Sequence, residues 1–260
     1  MTALADYRDR FETIRFERQD GILEMTVHTD GDSLRWGAAP VQEMQEAFGA
    51  VASDVENRVV IFTGTGAEFN GPKGSPETFP GTTARGWEFA HWNTRKLLLN
   101  FLDIEAPVIC ALNGPVWRHC ETPLLSDIVI ASETAALQDS GHFVNGLVPG
   151  DGMHIVLPYV MGPNRARYFM LTGQVIEASE AKDLGLYAEV LPPEQVLPRA
   201  WELARELCKQ SPLVLRYTKV CFAHAIRQQI LAGQGYGVLL EGMAAIDDQH
   251  RAGYTLDPRG

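Results

Sequence analysis

Six residues between positions 118 and 151 carry groups that a buried core does not select: Arg118, His119, Glu121, Asp139, His142 and Asp151. An imidazole titrates near neutral pH and can accept or release a proton. A carboxylate can orient that imidazole and steady its charge, and N–H donors can polarise a carbonyl. All six fall within one stretch, PVICALNGPVWRHCETPLLSDIVIASETAALQDSGHFVNGLVPGD, residues 107–151. Its apolar runs read as strands, and polar groups on loops held by rigid strands are the layout of an active site. A metal centre made from His119, His142, His154 and Asp151 is the obvious rival, but no HExxH or comparable ligand spacing supports it.

The elements that must position these groups are legible along the chain. Residues 107–112 form a buried strand that ends at the Asn113–Gly114–Pro115 turn, with further strands at 127–131 and 135–138. Upstream, residues 13–28 predict two strands around the turn Gln19–Asp20–Gly21, the chemistry of a hairpin. A turn-rich loop then carries Trp36, as a loop anchor or a pocket wall, and Pro40 opens a helix with Val41, Met44, Phe48 and Val51 on one face. Residues 58–63 read as a strand leading into GTGAEFNGPKGSPETFPG, a loop expected to cover a pocket. Its GTG lacks the full dinucleotide pattern GxGxxG. A helix is predicted over 87–101, further helical segments over 164–172 and 178–184 with Gly185 just past the second, and a last strand over 187–191. From residue 194 the pattern is helical only: 194–210, 213–229 and about 236–249, with a disordered tail expected over 254–260.

Composition narrows the function. The chain has 260 residues, 45% hydrophobic and 21% charged, as expected of a soluble α/β protein. A formal net charge of −11 leaves no basic stripe for nucleic acid. The polar first residues lack an apolar leader and no run approaches a membrane span, so a cytoplasmic location and no membrane partner are expected. The four cysteines show no CxxC or zinc spacing, and Cys110 reads as an inert buried thiol.

From about residue 13 to residue 225 the chain resembles the crotonase (enoyl-CoA hydratase/isomerase) superfamily, through VVIFTGTGAEF, PVICALNGPV, DIVIAS, GLVPGDG and LTGQVIEASEAKDLGLYAEV in that order. The resemblance implies a spiral of ββα turns over residues 1–193. It also implies a helical C-terminal region, 194–260, that serves trimerisation and covers the active site, and a homo-oligomer that is a trimer or a dimer of trimers. Departures from the common pattern narrow it further. The loop after the first strand of the motif reads FNGPKG, Trp117–Cys120 stands where a glycine triplet is usual, and His142 lies four residues before Gly146, the place of the hydratases' glutamate. These departures look like the branch of β-diketone hydrolases that includes 6-oxocamphor hydrolase, matched by SLRW, NGPVWRH, QDSGHF, VPGDGMH and LLEGMAAID.

That resemblance implies hydrolysis of a carbon–carbon bond between two carbonyls, with neither coenzyme A nor metal as cofactor and a small diketone as substrate. His142 is then expected to activate water with Asp151 fixing its tautomer, while His119 and Trp36 polarise carbonyls. Glu241 orients the water or relays a proton. Glu121, Asp139, His28, His91, His224 and His250 are expected to be structural. The alternatives are an acyl-CoA hydratase, isomerase or thioesterase, the commoner activity of this superfamily, and a catalytically inactive scaffold.

Overall fold

The computed structural model describes residues 2–73 and 83–251, apart from the side chains of Ala84 and of residues 247–251. Part of the 64–81 loop and the 254–260 tail therefore lie outside the described residues. In chain order the elements are α1 (Leu4–Tyr7), β1 (Ile14–Gln19), β2 (Ile22–Val27), β3 (Leu34–Arg35), α2 (Ala38–Ala52), β4 (Val59–Gly64) and β5 (Asn70–Gly71). They continue with α3 (Ala84–Leu102), β6 (Val108–Leu112), α4 (Glu121–Leu124), β7 (Ile128–Ser132), β8 (Ala136–Leu137), α5 (Met153–Met161) and α6 (Pro163–Thr172). The chain then adds β9 (Ile176–Glu177), α7 (Ala178–Asp183), β10 (Glu189–Leu191), α8 (Pro193–Leu207) and α9 (Pro212–Arg251).

The main sheet runs β1-β2-β4-β6-β7-β10, antiparallel at its first pair and parallel thereafter. The β1–β2 turn carries Asp20 at φ 54° and Gly21 at φ 79°, the two left-handed positions of a tight hairpin. β4 and β6 read as continuous apolar runs because both of their faces are covered, as parallel strands require. Val60, Phe62, Val108 and Cys110 face one core with α2, α3 and α5. Val59, Ile61, Ile109 and Ala111 face a second with Val196, Ala200 and Ala204 of α8.

A smaller layer crosses above the strand ends. β3 pairs with β5, Asn70 bridges to Val116, Val116 bridges to Leu137, and β8 pairs with β9. β2, β4 and β7 thus each lead into a short second strand, β3, β5 and β8, before the next helix, and β6 leads through the Val116 bridge to α4, the repeated ββα turn of the crotonase fold. Loops from both layers converge at the carboxyl ends of the parallel strands, where α/β sheets place their sites.

The C-terminal region departs from expectation. The two helices expected over 213–229 and 236–249 are one continuous helix, α9, of 40 residues and about 60 Å. Gly233 and Gly235, in the gap between the two expected helices, and Gly237 just beyond it are contact points in the structure. A β-carbon on Gly237 would lie 2.2 Å from the Gly150 carbonyl oxygen and 2.2 Å from His154 Cε1. Glycine here lets helix and loop backbones touch.

Candidate active site

His119 follows β6 through a tight turn and adopts φ 49°. This left-handed conformation is free for glycine and strained for a branched side chain, and histidine is among the residues that tolerate it. It is anchored on both sides. Trp36, placed by the end of β3, stacks on the His119 ring at 4.1 Å between centroids and 19° between planes. His119 Nδ1 lies 2.9 Å from Asp151 Oδ2 and 3.1 Å from Glu121 Oε1.

His142 stands across the site, its ring edge-on to His119 at 5.2 Å and 78°. Its Nδ1 lies 2.7 Å from Asp139 Oδ1, which also accepts the His142 backbone N–H at 3.2 Å. Its Nε2 faces the other way, 3.4 Å from Asp151 Oδ2 and 3.9 Å from Glu241 Oε1. Asp151 therefore sits between the two imidazoles, one oxygen within reach of both rings. All of these groups except the half-buried Trp36 are at most 2% exposed.

Burial at this level governs protonation. For His142, burial alone would lower the pKa, yet Asp151 and Asp139 together outweigh it and raise the value well above that of free histidine. For Asp151, burial would raise the pKa, but His142 and His119 hold it well below the usual carboxylate range. Glu121 goes the other way: burial lifts its pKa, and His119 offsets this only in part. These directions favour an ionic Asp151–His142 pair, beside a Glu121 carboxyl whose pKa burial raises.

α9 closes the site from one side. Glu241 and Gln234 lie seven residues apart, two turns, and so share a face. Gln234, fully buried, donates through Nε2 to the carbonyls of Thr94 on α3, at 3.0 Å, and of Asp151. The Asp151–Gly152 turn is further fixed by Gly152 at φ 143°, where a β-carbon would lie 2.3 Å from Leu98.

The structure brings His119, His142, Asp151, Glu241 and Trp36 into one place. His154 is elsewhere: its Nδ1 lies 3.1 Å from the Pro149 carbonyl. The donor atoms of His119, His142 and Asp151 all lie within 4.8 Å of one another, so three members of the rival metal set, and not the fourth, are close enough to face one ion. Glu121 and Asp139, expected to be structural, lie against the His119 and His142 rings respectively. A sequence signal existed for both: Asp139 stands three residues before His142 in QDSGH, and Glu121 two after His119. Gln234 had none, since its partners are main-chain carbonyls far along the chain.

Comparison with known proteins narrows the reading. The family model for enoyl-CoA hydratase/isomerase matches residues 17–237. The chain is 27% identical over 243 residues to 2,3-dehydroadipyl-CoA hydratase of Escherichia coli K12, covering 90% of this chain and 91% of that one. It is 30% identical over 214 residues to carnitinyl-CoA dehydratase of Salmonella arizonae, covering 80% and 79%. Among solved structures, a β-diketone hydrolase from the cyanobacterium Anabaena sp. PCC 7120, bound to (S)-3-oxocyclohexyl acetic acid, superposes with a TM-score of 0.90 at 41% identity, covering 94% of this chain and 98% of that one. An enoyl-CoA hydratase/isomerase from Mycobacterium paratuberculosis shares the fold at a TM-score of 0.81 and 24% identity, covering 92% and 95%. The chain belongs to the enoyl-CoA hydratase/isomerase family, the crotonase superfamily.

Proposed function

We propose that the chain is a hydrolase that cleaves the carbon–carbon bond between the carbonyls of a cyclic, largely apolar β-diketone, using neither coenzyme A nor a metal. The observation that carries this reading is the buried pair of imidazoles sharing Asp151, together with the 41% likeness to a β-diketone hydrolase. Water is deprotonated at the His142 Nε2–Asp151 side of the site and its oxygen attacks one carbonyl carbon. His119 and Trp36 hold the oxyanion that forms. As that oxyanion collapses, the bond from the attacked carbon to the carbon that lies between the two carbonyls breaks, and its electrons leave as the enolate of the second carbonyl. The proton taken from water returns to the enolate carbon, directly or through Glu241, and the product is a keto acid.

Assembly is part of the reading. The 194–260 region is assigned to contacts in a trimer or dimer of trimers and to cover over the site. Phe222, Tyr236, Leu239 and Met243 on α9 are each more than 60% exposed, which supports a partner against this helix. Among the described residues no helix is long and apolar enough to cross a membrane. All four cysteines are free thiols, in keeping with action in the cytoplasm.

The second reading, an acyl-CoA hydratase or isomerase, draws on the names of the curated relatives. The test follows ultraviolet loss of a bicyclic β-diketone with the wild type, His142→Ala and Asp151→Asn, without metal or coenzyme A. Turnover by the wild type with a keto acid product, reduced about 10²–10⁴-fold in both variants, is the expected result. Hydration of a short enoyl-CoA with no diketone turnover would refute it.

A further inference from the structure

The geometry points to Asp139 as the residue that positions His142, holding the imidazole by Nδ1 so that Nε2 is the nitrogen that exchanges protons with water. This rests on the proposed hydrolysis only for its kinetic consequence. A histidine that acts as a base uses one ring nitrogen and is oriented by whatever holds the other. In this site the holding contact is with Asp139: 2.7 Å to Nδ1, against 3.4 Å from Nε2 to Asp151. The same Asp139 oxygen accepts the backbone N–H of His142, which fixes the carboxylate relative to the ring it holds. The backbone on the far side is fixed as well, because the His142 carbonyl accepts the N–H groups of Asn145 at 2.8 Å and Leu147 at 3.1 Å.

Asp151, expected to set the tautomer, is on the wrong edge of the ring for that task. It shares the Nε2 edge with Glu241, and one of its oxygens also faces His119. His142 is thus held between an orienting carboxylate behind and two carboxylates in front, with the His119 ring beside it. Asp139 is a positioning residue, and Asp151 belongs to the reacting side.

The experiment is nitrogen-15 NMR of the His142 ring in the full chain labelled at histidine, compared among wild type, Asp139→Asn and Asp151→Asn. In the wild type, the expected signature is an Nδ1–H that exchanges slowly and resonates downfield, as a proton shared with a carboxylate does. It should persist in Asp151→Asn and vanish in Asp139→Asn. Kinetics on the β-diketone give the second readout: Asp139→Asn lowers kcat about 10²–10⁴-fold, as for an orienting aspartate, with KM changed less than about threefold. Persistence of the Nδ1–H in Asp139→Asn, or its loss in Asp151→Asn alone, would overturn the assignment. If Asp139→Asn does not fold, the wild-type spectrum still decides, since absence of a protonated Nδ1 refutes the proposal. If wild type does not turn over the diketone, the hydrolase reading fails while the NMR result stands by itself.

Discussion

Replacing Gly237 with alanine separates stability from activity in a way that the fold dictates. The new methyl carbon would stand 2.2 Å from the Gly150 carbonyl oxygen and 2.2 Å from His154 Cε1. A carbon approaches an oxygen comfortably only to about 3.3 Å, so α9 must back away by about 1 Å. Alanine's helix preference favours the variant by about 1 kcal/mol, whereas overpacking opposes it by about 1–3 kcal/mol. The net loss is about 0–2 kcal/mol, a fall in melting midpoint of at most about 8 °C at this chain length. Activity should suffer more. Glu241 lies one turn further along α9, 3.9 Å from His142 Nε2, and moves with the helix. A misplacement of about 1 Å can lower turnover about 10²-fold. Differential scanning calorimetry and diketone kinetics on the same preparation check both numbers. Gly233→Ala is the control, since its β-carbon meets only the flexible end of Ile155, at 3.1 Å. A Gly237→Ala protein with wild-type kcat and a raised midpoint would refute the seating of α9 on the Gly150 loop.

Four other outcomes follow from the same geometry. His142 must shed its proton to act as a base, and Asp151 and Asp139 raise its pKa above that of free histidine despite burial. kcat/KM should therefore rise with pH through a value above about 6.5. A pH profile with full activity well below that value would contradict the role. The same ion pair has two linkage signs. Asp151, depressed in the fold, contributes stability that is lost as pH falls through its folded value, while the His142 contribution is lost as pH rises through its raised one. Melting midpoints of wild type and Asp151→Asn across pH should converge at the acid end. Dialysis against a chelator should leave diketone turnover unchanged, and activity restored only by added metal would return His119, His142 and Asp151 to the metal reading. Finally, Lys219 is 3% exposed and reaches Asp127 at 2.8 Å, tying α9 to the start of β7. Lys219→Ala should lower stability by about 1–3 kcal/mol, less than a fully buried pair because Asp127 keeps its bond from the Val108 N–H and some solvent. Denaturant titration measures it.

Much of this was legible before the structure because local rules and tertiary demands agree. The hairpin turn at Asp20–Gly21, the doubly buried runs of β4 and β6 and the left-handed Gly185 after α7 each follow from residue chemistry that no distant contact opposes. Disagreement arose where long-range packing overrides the local signal. Glycine at 233, 235 and 237 speaks for a helix break, yet α9 runs through because its neighbours need the space. Glu121 and Asp139 have the composition of solvated loop acids; only the folded site shows them at 1% exposure against the imidazoles. The choice between two ring nitrogens of His142 cannot be made from spacing at all, since Asp139 and Asp151 flank it in sequence on either side.

The crowd of acids around the histidines has a consequence for what leaves the site. Glu121, Asp139, Asp151 and Glu241 are all buried there, and the two imidazoles hold Asp151 well below the usual carboxylate range. Under the proposed hydrolysis, a neutral diketone would enter without adding charge to this set. The keto acid product of that reaction would add a negative charge beside Asp151 in a medium that screens poorly. Repulsion would then work in the direction of escape, so the acids that the proposed reaction uses to manage the proton would also help clear the site and hold the reverse condensation in check.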